Sequence, residues 1–434
     1  MKTVIMAGGK GTRMATVVKD IPKPMIQINK RPVLEWQIRC LKDQGFTDFI
    51  LTVSHLKDVI INYFGDGSGL SPGTGEPFGV KIEYFIESEP LGNAGALFKL
   101  KEKLNEDFFL LNGDLFFDID FNRFKKFHQE CGGIATLFTH PNSHPYDSSI
   151  IVTDEIGTVL KWIAKEDLHP TYYKNQVNAG LHILSPQILE TGFNTVQIDL
   201  DRQILKPLAG TGKMFAYSSS EYVKDMGTPE RYESVCNDLL LGKIQMKSLR
   251  NKQKAIFLDR DGTLNRHVGF LKDADEFVLL PGVAQAIKKI NASGYLAIVV
   301  TNQPVIARGE LTFAQLREIH NKLETLLGSE GAYLDEIYFC PHHPDKGFPG
   351  EVSELKFECE CRKPKPGMLL TAAQKFNIDL CQSWMVGDRR EDVEAGRVAG
   401  CKTALVSPAS NADYGQTITE ATLLGVVEKI LELV

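Results

Sequence analysis

The sequence predicts an α/β protein built from two doubly wound, mostly parallel-sheet modules in one chain. Three observations carry that expectation. Short apolar runs alternate with helical patterns throughout, as parallel strands joined by crossover helices do. At 434 residues the chain is too long for one ordinary hydrophobic core. A run ending in two carboxylates, AIFLDRDGTLN from Ala255, opens a fresh strand in mid-chain, where a second module would begin.

Composition is that of a globular protein, with 43% hydrophobic and 24% charged residues. No apolar run reaches the ~18 residues of a membrane span. The start, MKTVIMAGGKG, is too short in its apolar part for a secretory signal, so a cytoplasmic enzyme without a membrane role is expected. The net charge of −6 argues against a nucleic-acid partner. Among eight cysteines, Cys340, Cys359 and Cys361 cluster with His342 and His343, which in a cytosolic chain suggests a metal before a disulfide.

The elements follow in order. KTVIMA reads as a strand that runs into a glycine loop, Gly8, Gly9 and Gly11, carrying Lys10 and Arg13. Such glycines let backbone N–H groups approach phosphates, and the cations offset their charge. The bland alternative is a tight turn. Lys23 stands between two prolines, which present one cation rigidly. A helix is expected near 33–44 and a strand at DFILTV, then a loop over 66–79 read as a surface excursion. EPLGNAGAL is a second glycine loop, with Gly92. LLNGD places Asp114 at the carboxyl end of a strand, where open α/β sheets bind ligands. VNAGLHIL carries Asn178, and VKDMGTPERY adds a second acid, Asp225. A helix from Thr228-Pro229 runs to about Leu241. Residues 242–253 read as a linker, which gives a first module of 1–241 and a second of 254–434.

In combination these motifs resemble the sugar-1-phosphate nucleotidyltransferases, a Rossmann-like family, over roughly residues 1–240. The resemblance implies that Gly8, Gly9 and Gly11 hold the base and triphosphate, with Gly92 in the same site. It implies that Arg13 contacts the phosphates and that Lys23 neutralises the attacked phosphorus. Asp114 and Asp225 would hold Mg²⁺ between a nucleoside triphosphate and a sugar phosphate. Asn178 and Lys165 would face the sugar and its phosphate. The family's usual Glu-Lys-Pro reads Ala164-Lys165-Glu166 here, a departure at the sugar.

In the second module, residues i and i+2 of an extended segment point the same way, so Asp259 and Asp261 share a side. Beside Mg²⁺ one can attack phosphorus while the other moves a proton. The bland alternative is an Asx-rich turn. Downstream, AIVVTNQ ends in Thr301, Asn302 and Gln303, CRKPKPGM supplies Arg362 and Lys363, and WMVGDRREDVEAG supplies Asp388 and Asp392. The order resembles the haloacid dehalogenase-like phosphatases over about 254–410. The resemblance implies Asp259 as nucleophile and Asp261 as general acid, then base. It implies Mg²⁺ on Asp259, Asp388 and the Asp261 carbonyl, with Thr301 and Lys363 on the phosphoryl group and Asp392 behind them. Asn302, Gln303 and Arg362 would face the substrate.

Cys340, His342, Cys359 and Cys361 supply four soft ligands, a closed tetrahedral set for structural zinc, with His343 the rival to His342. A zinc loop resembles both the heptose bisphosphate phosphatases and the histidinol-phosphate phosphatases. TNQPVIARGELT stands nearer the heptose type, with Pro304-Val305 where Ser-Gly is usual. The first module most resembles the heptose 1-phosphate guanylyltransferases, so the fusion would join consecutive steps. The alternatives are another hexose 1-phosphate with dTTP or UTP, beside a histidinol or general sugar phosphatase, or a phosphatase with a nucleotide-sensing first module.

Overall fold

The computed structural model describes the chain except residues 10–20, 191, 193–196, 409–411 and 434. Lys10, Gly11 and Arg13 therefore lie outside the described residues. The chain divides into two compact units. The first comprises Met1–His140, Ile151–Ile163 and Asn178–Ser248, and the second Pro141–Ile150, Ala164–Val177 and Leu249–Val434.

In the first unit the strand Thr3–Met6 lies between Asp48–Val53 and Phe108–Asn112, parallel to both, and Lys81–Ile86 extends the parallel part. Val177–Leu184 closes against Phe108–Asn112 in antiparallel register, Leu181 opposite Leu111. Central strands covered on both faces have no solvent side, so TVIM, DFILTV and FFLLN are near-continuous apolar runs. Their core holds Ile5, Phe49, Leu51, Phe109 and Leu111 with Leu34 and Ile38 from the helix Val33–Lys42. Phe109 meets Phe46 edge-on at 5.0 Å and Phe121 at 5.1 Å. The chain leaves Thr3–Met6 in opposite sheet directions on its two sides, which makes its carboxyl end a switch point for ligands.

The 66–79 excursion is built rather than loose. Buried Glu35 accepts from Ser71 Oγ at 2.9 Å, Tyr63 Oη at 2.8 Å and Arg39 Nε at 2.6 Å, while the loop's own Phe78 is buried in the core. Residues 242–253 hold a short helix, Lys243–Met246, whose Ile244 packs with Met226 and Val235. Leu249 packs in a core of the second unit, and Asn377 Nδ2 donates to the Leu249 carbonyl at 3.0 Å.

The second unit carries a six-stranded parallel sheet in the order Glu336–Cys340, Tyr295–Asn302, Lys254–Leu258, Trp384–Gly387, Lys402–Val406, Ile418–Glu420. Lys254–Leu258 comes first in sequence and sits in the middle, so Asp259 again leaves a switch point. The helix Phe313–Ser329 starts at a capping box, Thr312 with Gln315, which satisfies two of its orphan N–H groups. Against that helix lies the stretch Ala164–Val177. The Asn175 N–H donates to buried Glu324, and the Tyr173 N–H donates to Thr325 Oγ1 at 2.9 Å. Lys174 Nζ stands 3.6 Å from Glu336, which also pairs with Lys375. Among the described residues no helix is long and apolar enough to cross a membrane.

Candidate active sites

In the first unit a cavity of about 440 Å³ opens at the carboxyl ends of the central strands. Gly8, Gly9, Lys23, Gly92 and Asp114 line it, which brings together most of the expected nucleotide-site residues that are described. Local geometry explains their types. A Cβ on Gly113 would stand 2.8 Å from the Met6 carbonyl, so Asn112-Gly113-Asp114 passes close beneath the first glycine loop. Gly92 has φ +77, and its Cβ would stand 2.4 Å from the Ile198 carbonyl, a position open to glycine alone. The Pro-Lys-Pro turn aims Lys23 Nζ at Asp114 Oδ2 in a direct ion pair.

Asp225 reaches this region through strand pairing. Leu115–Asp118 and Tyr222–Asp225 run antiparallel with Asp225 opposite Leu115, and the Met226 N–H donates to the Asp114 carbonyl at 2.9 Å. Two acids far apart in sequence thus become neighbours. Burial pushes the Asp225 carboxyl up, but Arg231 and the Gly227 N–H hold it below the usual range. Asn178 and Lys165 do not line the cavity. Asn178 Oδ1 faces His182 Nε2 at 3.2 Å, and Lys165 pairs with Asp147.

One lining residue escaped sequence reasoning. Glu87 stands so near the first glycine loop that a Cβ on Gly8 would lie 3.2 Å from its Oε1. Burial pushes its carboxyl up while the Leu91 N–H opposes. The available signal was an acid at the end of the apolar run KIEYFIE, leading into EPLGN.

In the second unit a cavity of about 270 Å³ is lined by Asp259, Asp261, Thr301, Lys363, Arg362 and Asp392, among others. Lys363 is buried, and its Nζ donates at 2.6 Å to both Asp259 Oδ1 and Asp392 Oδ1. Burial works against a charged lysine, but the two carboxylates overcome it and raise its pKa. Asp259 is pushed up to about 7 by burial, against Lys363 and with repulsion from Asp392. Asp261 is held low: burial raises it, but Arg260, Asn265 and Gln303 all donate to it. Both ends of the Asn302 amide are spent on the Lys363 backbone at 3.0 Å, so Asn302 orients the lysine's peptide. Gln303 Nε2 bridges Asp261 Oδ2 and Thr301 Oγ1, each at 2.8 Å.

The residues fit a divalent cation. Carboxylate oxygens of Asp259, Asp388 and Asp392 lie within 4.8 Å of one another, with Lys363 donating to two of them. Asp388 Oδ1 is buried with no hydrogen-bond partner among the described residues. A Cβ on Gly262 would stand 2.3 Å from Asp388 Oδ2, so only glycine lets the Asp261-Gly262 backbone approach that carboxylate. In the first unit Asp114, which lines the cavity, and Asp225, its neighbour across the strand pair, are two hard oxygen donors, a set suited to Mg²⁺ shared with substrate phosphates.

Cys340, His342, Cys359 and Cys361 converge. Their sulfur atoms are 3.2–3.4 Å apart, and His342 Nδ1 lies 3.3 Å from Cys361 Sγ. Hydrogen bonds from Cys340, Cys359 and His342 hold the Cys361 thiol low, towards the thiolate that a metal needs. His343 stands outside the cluster, taking the Asp345 N–H at 3.2 Å and lining the phosphatase-side cavity. The donor set fits a tetrahedral soft metal.

A family model described as nucleotidyl transferase matches residues 2–240. The chain belongs to the nucleotidyl transferase family. Behind that nucleotidyl transferase module, residues 360–429 match a model described as HAD-hydrolase-like. Over 152 residues, 35% of this chain and 79% of the relative, it is 45% identical to the D-glycero-beta-D-manno-heptose-1,7-bisphosphate 7-phosphatase of Yersinia pestis. The phosphatase of that name from Haemophilus ducreyi is 40% identical over 183 residues, 42% of this chain and 97% of the relative. The chain therefore joins a nucleotidyl transferase to a phosphatase. Among solved structures, HddC from Yersinia pseudotuberculosis is 27% identical, with TM-score 0.46, covering 55% of this chain and 99% of that one. A D,D-heptose 1,7-bisphosphate phosphatase from B. bronchiseptica is 35% identical, with TM-score 0.37, covering 42% and 100%.

Proposed function

We infer that the chain carries out two consecutive steps in making a nucleotide-activated manno-heptose. The second unit removes the C7 phosphate of heptose 1,7-bisphosphate. The first unit transfers GMP from GTP to the heptose 1-phosphate so made, releasing pyrophosphate. The observation that carries this reading is the Asp259–Lys363–Asp388 site in a stretch 40% identical to the heptose bisphosphate phosphatase of Haemophilus ducreyi over 97% of that relative. Its product is a sugar 1-phosphate, the substrate class of the module ahead of it.

In the phosphatase, Asp259 attacks phosphorus and the sugar oxygen departs with a proton from Asp261. Water then attacks the aspartyl phosphate, giving its proton to Asp261, and phosphate leaves. Lys363 and Thr301 hold the phosphoryl oxygens. Asp388, Asp259 and the Asp261 carbonyl would hold Mg²⁺, which supplies charge neutralisation on the transferring group. In the transferase, a sugar phosphate oxygen attacks the α-phosphorus and pyrophosphate leaves. Lys23 neutralises the developing charge, while Gly8 and Gly9 offer backbone N–H groups to the nucleotide. Asp114 and Asp225 would hold Mg²⁺ there, Asn178 would face the sugar, and Lys165 would come to its phosphate only if the Lys165–Asp147 pair opens.

Glu87 supports guanine. A half-buried carboxylate accepts hydrogen bonds, and guanine alone among the common bases presents two adjacent donors, N1–H and the N2 amine. A Glu87→Gln enzyme is expected to lose ~10–100-fold in kcat/KM with GTP, the scale of hydrogen bonds to a charged group, and to lose much less with UTP. Steady-state kinetics with both triphosphates check this.

We further propose that the Cys/His cluster holds structural zinc. Metal analysis should find one zinc per chain, and none in a Cys359→Ser/Cys361→Ser variant. Because Arg362 and Lys363 follow Cys361 directly, that variant is expected to lose ~10-fold or more of its phosphatase rate. Full phosphatase activity without zinc would refute the assignment.

The test of the whole reading is a coupled assay. Heptose 1,7-bisphosphate is supplied as separate α and β anomers with Mg²⁺ and each of five triphosphates, and phosphate, pyrophosphate and nucleotide-sugar are followed. GDP-heptose from the α anomer is expected. The phosphatase relatives' name specifies β, whereas the first module's resemblance to the heptose 1-phosphate guanylyltransferases implies α, so the anomer is decided by this assay. Phosphate release without any nucleotide-sugar would leave the phosphatase and remove the transferase reading.

A further inference from the structure

Arg260, between the two catalytic aspartates, is fully buried. Taking a guanidinium out of water is costly unless it is fully paired. Here the pairing is incomplete. Arg260 Nη2 donates to Asp261 Oδ2 at 2.7 Å and to Gln303 Oε1 at 3.0 Å. Nη1 faces His320 Nε2 at 3.2 Å, and buried Nε has no partner among the described residues. Asp261 is the one carboxylate with which it forms an ion pair among those residues.

The network has a direction. His320 sits in the middle of the helix Phe313–Ser329, with its ring 5.7 Å from that of Phe339. It anchors one arm of the guanidinium, and the other arm holds Asp261. Gln303 closes the loop, accepting from Arg260 and donating to the same Asp261 oxygen at 2.8 Å. Asn265 Nδ2 takes the other oxygen at 3.0 Å. Asp261 is thus gripped on one oxygen by two donors whose own positions are set inside the core.

We propose that Arg260 and His320 are positioning residues for proton transfer, acting only through the orientation of Asp261. The proposal rests on the reading of Asp261 as the group that gives and takes the proton. A carboxylate serving both half-reactions from one place must not swing, and a small misplacement of a reacting group costs orders of magnitude in rate.

The test is a double-mutant cycle on the full-length protein with heptose 1,7-bisphosphate. Arg260→Met is expected to lower kcat ~10²-fold with KM little changed. In an Asp261→Asn background the same substitution should change almost nothing, because its route of action is already gone. His320→Leu should reproduce the loss in milder form, and His320→Gln, whose amide oxygen can accept from Arg260, should restore it. Losses that multiply in the Asp261→Asn background would overturn the proposal, as would an unchanged rate in folded Arg260→Met. Should Arg260→Met fail to fold, the His320 pair and its cycle with Asp261→Asn decide alone. The Asp261 reading is checked separately by the single-turnover burst with 4-nitrophenyl phosphate, whose leaving group needs no proton, so that the burst reports phosphoryl transfer to Asp259 before water enters. If Asp261→Asn slows the aryl phosphate burst as much as single-turnover cleavage of the sugar phosphate, that reading fails. If it spares the burst while the cycle is additive, the Arg260 proposal alone fails.

Discussion

An Asp259→Asn enzyme is expected to release no phosphate from heptose 1,7-bisphosphate while still converting heptose 1-phosphate and GTP to nucleotide-sugar at the parental rate. Amide nitrogen cannot form the acyl phosphate, so the loss should reach about 10⁴-fold or more, the scale on which removing a covalent nucleophile acts. Stability should not suffer with it. Asp259 shares Lys363 with Asp392, and three carboxylates crowd together there, so removing one charge relieves repulsion while Asp392 keeps the lysine paired. The measurements are phosphate and pyrophosphate release on one preparation, with a melting curve. Loss of both activities would mean that the phosphatase unit is needed for transfer itself.

The converse substitution is Lys23→Ala. Among the described residues Lys23 is the cation that lines the first cavity, and its partner is Asp114. Removing it strips the positive charge from the place where negative charge grows on the α-phosphorus. It also leaves Asp114 to repel the incoming triphosphate. Nucleotidyl transfer is expected to fall ~10²–10³-fold, as when one preorganised electrostatic group is lost, with phosphate release unchanged. Arginine should not rescue, because its planar fork cannot replace a point charge on a short turn held by prolines. Parental transfer kinetics in Lys23→Ala would remove the lysine from the mechanism.

The sequence showed most where chemistry sits at strand ends. Asp114, Asp259, Thr301 and Asp388 each follow an apolar run, and a parallel sheet delivers such positions to one edge. The metal cluster was equally legible, because four soft ligands in a short window have few other uses. What stayed hidden depends on contacts that spacing does not record. Glu87 reads as one more acid until Gly8 is seen against it. Arg231 lies beyond Asp225 in the same motif, but only the fold shows that it holds that carboxylate. Asn302 looked like a substrate ligand, yet its amide is used up on the Lys363 backbone. The Lys243–Met246 helix was invisible because a basic four-residue turn with one buried isoleucine has no period to detect. Lys165 keeps its expected residue type but pairs with Asp147. Gly11 and Arg13 lie outside the described residues.

The stretch Ala164–Val177 has a meaning for how such a gene can be cut. The second compact unit gathers three pieces of chain, two of them from within residues 2–240, which match the nucleotidyl transferase model. Excising residues 249–434 alone would discard Lys174 and leave Glu324, already pushed up to about 7 by burial, without the lysine charge that opposes that rise. A cut placed by likeness to relatives and a cut placed by contacts therefore fall at different points of the chain.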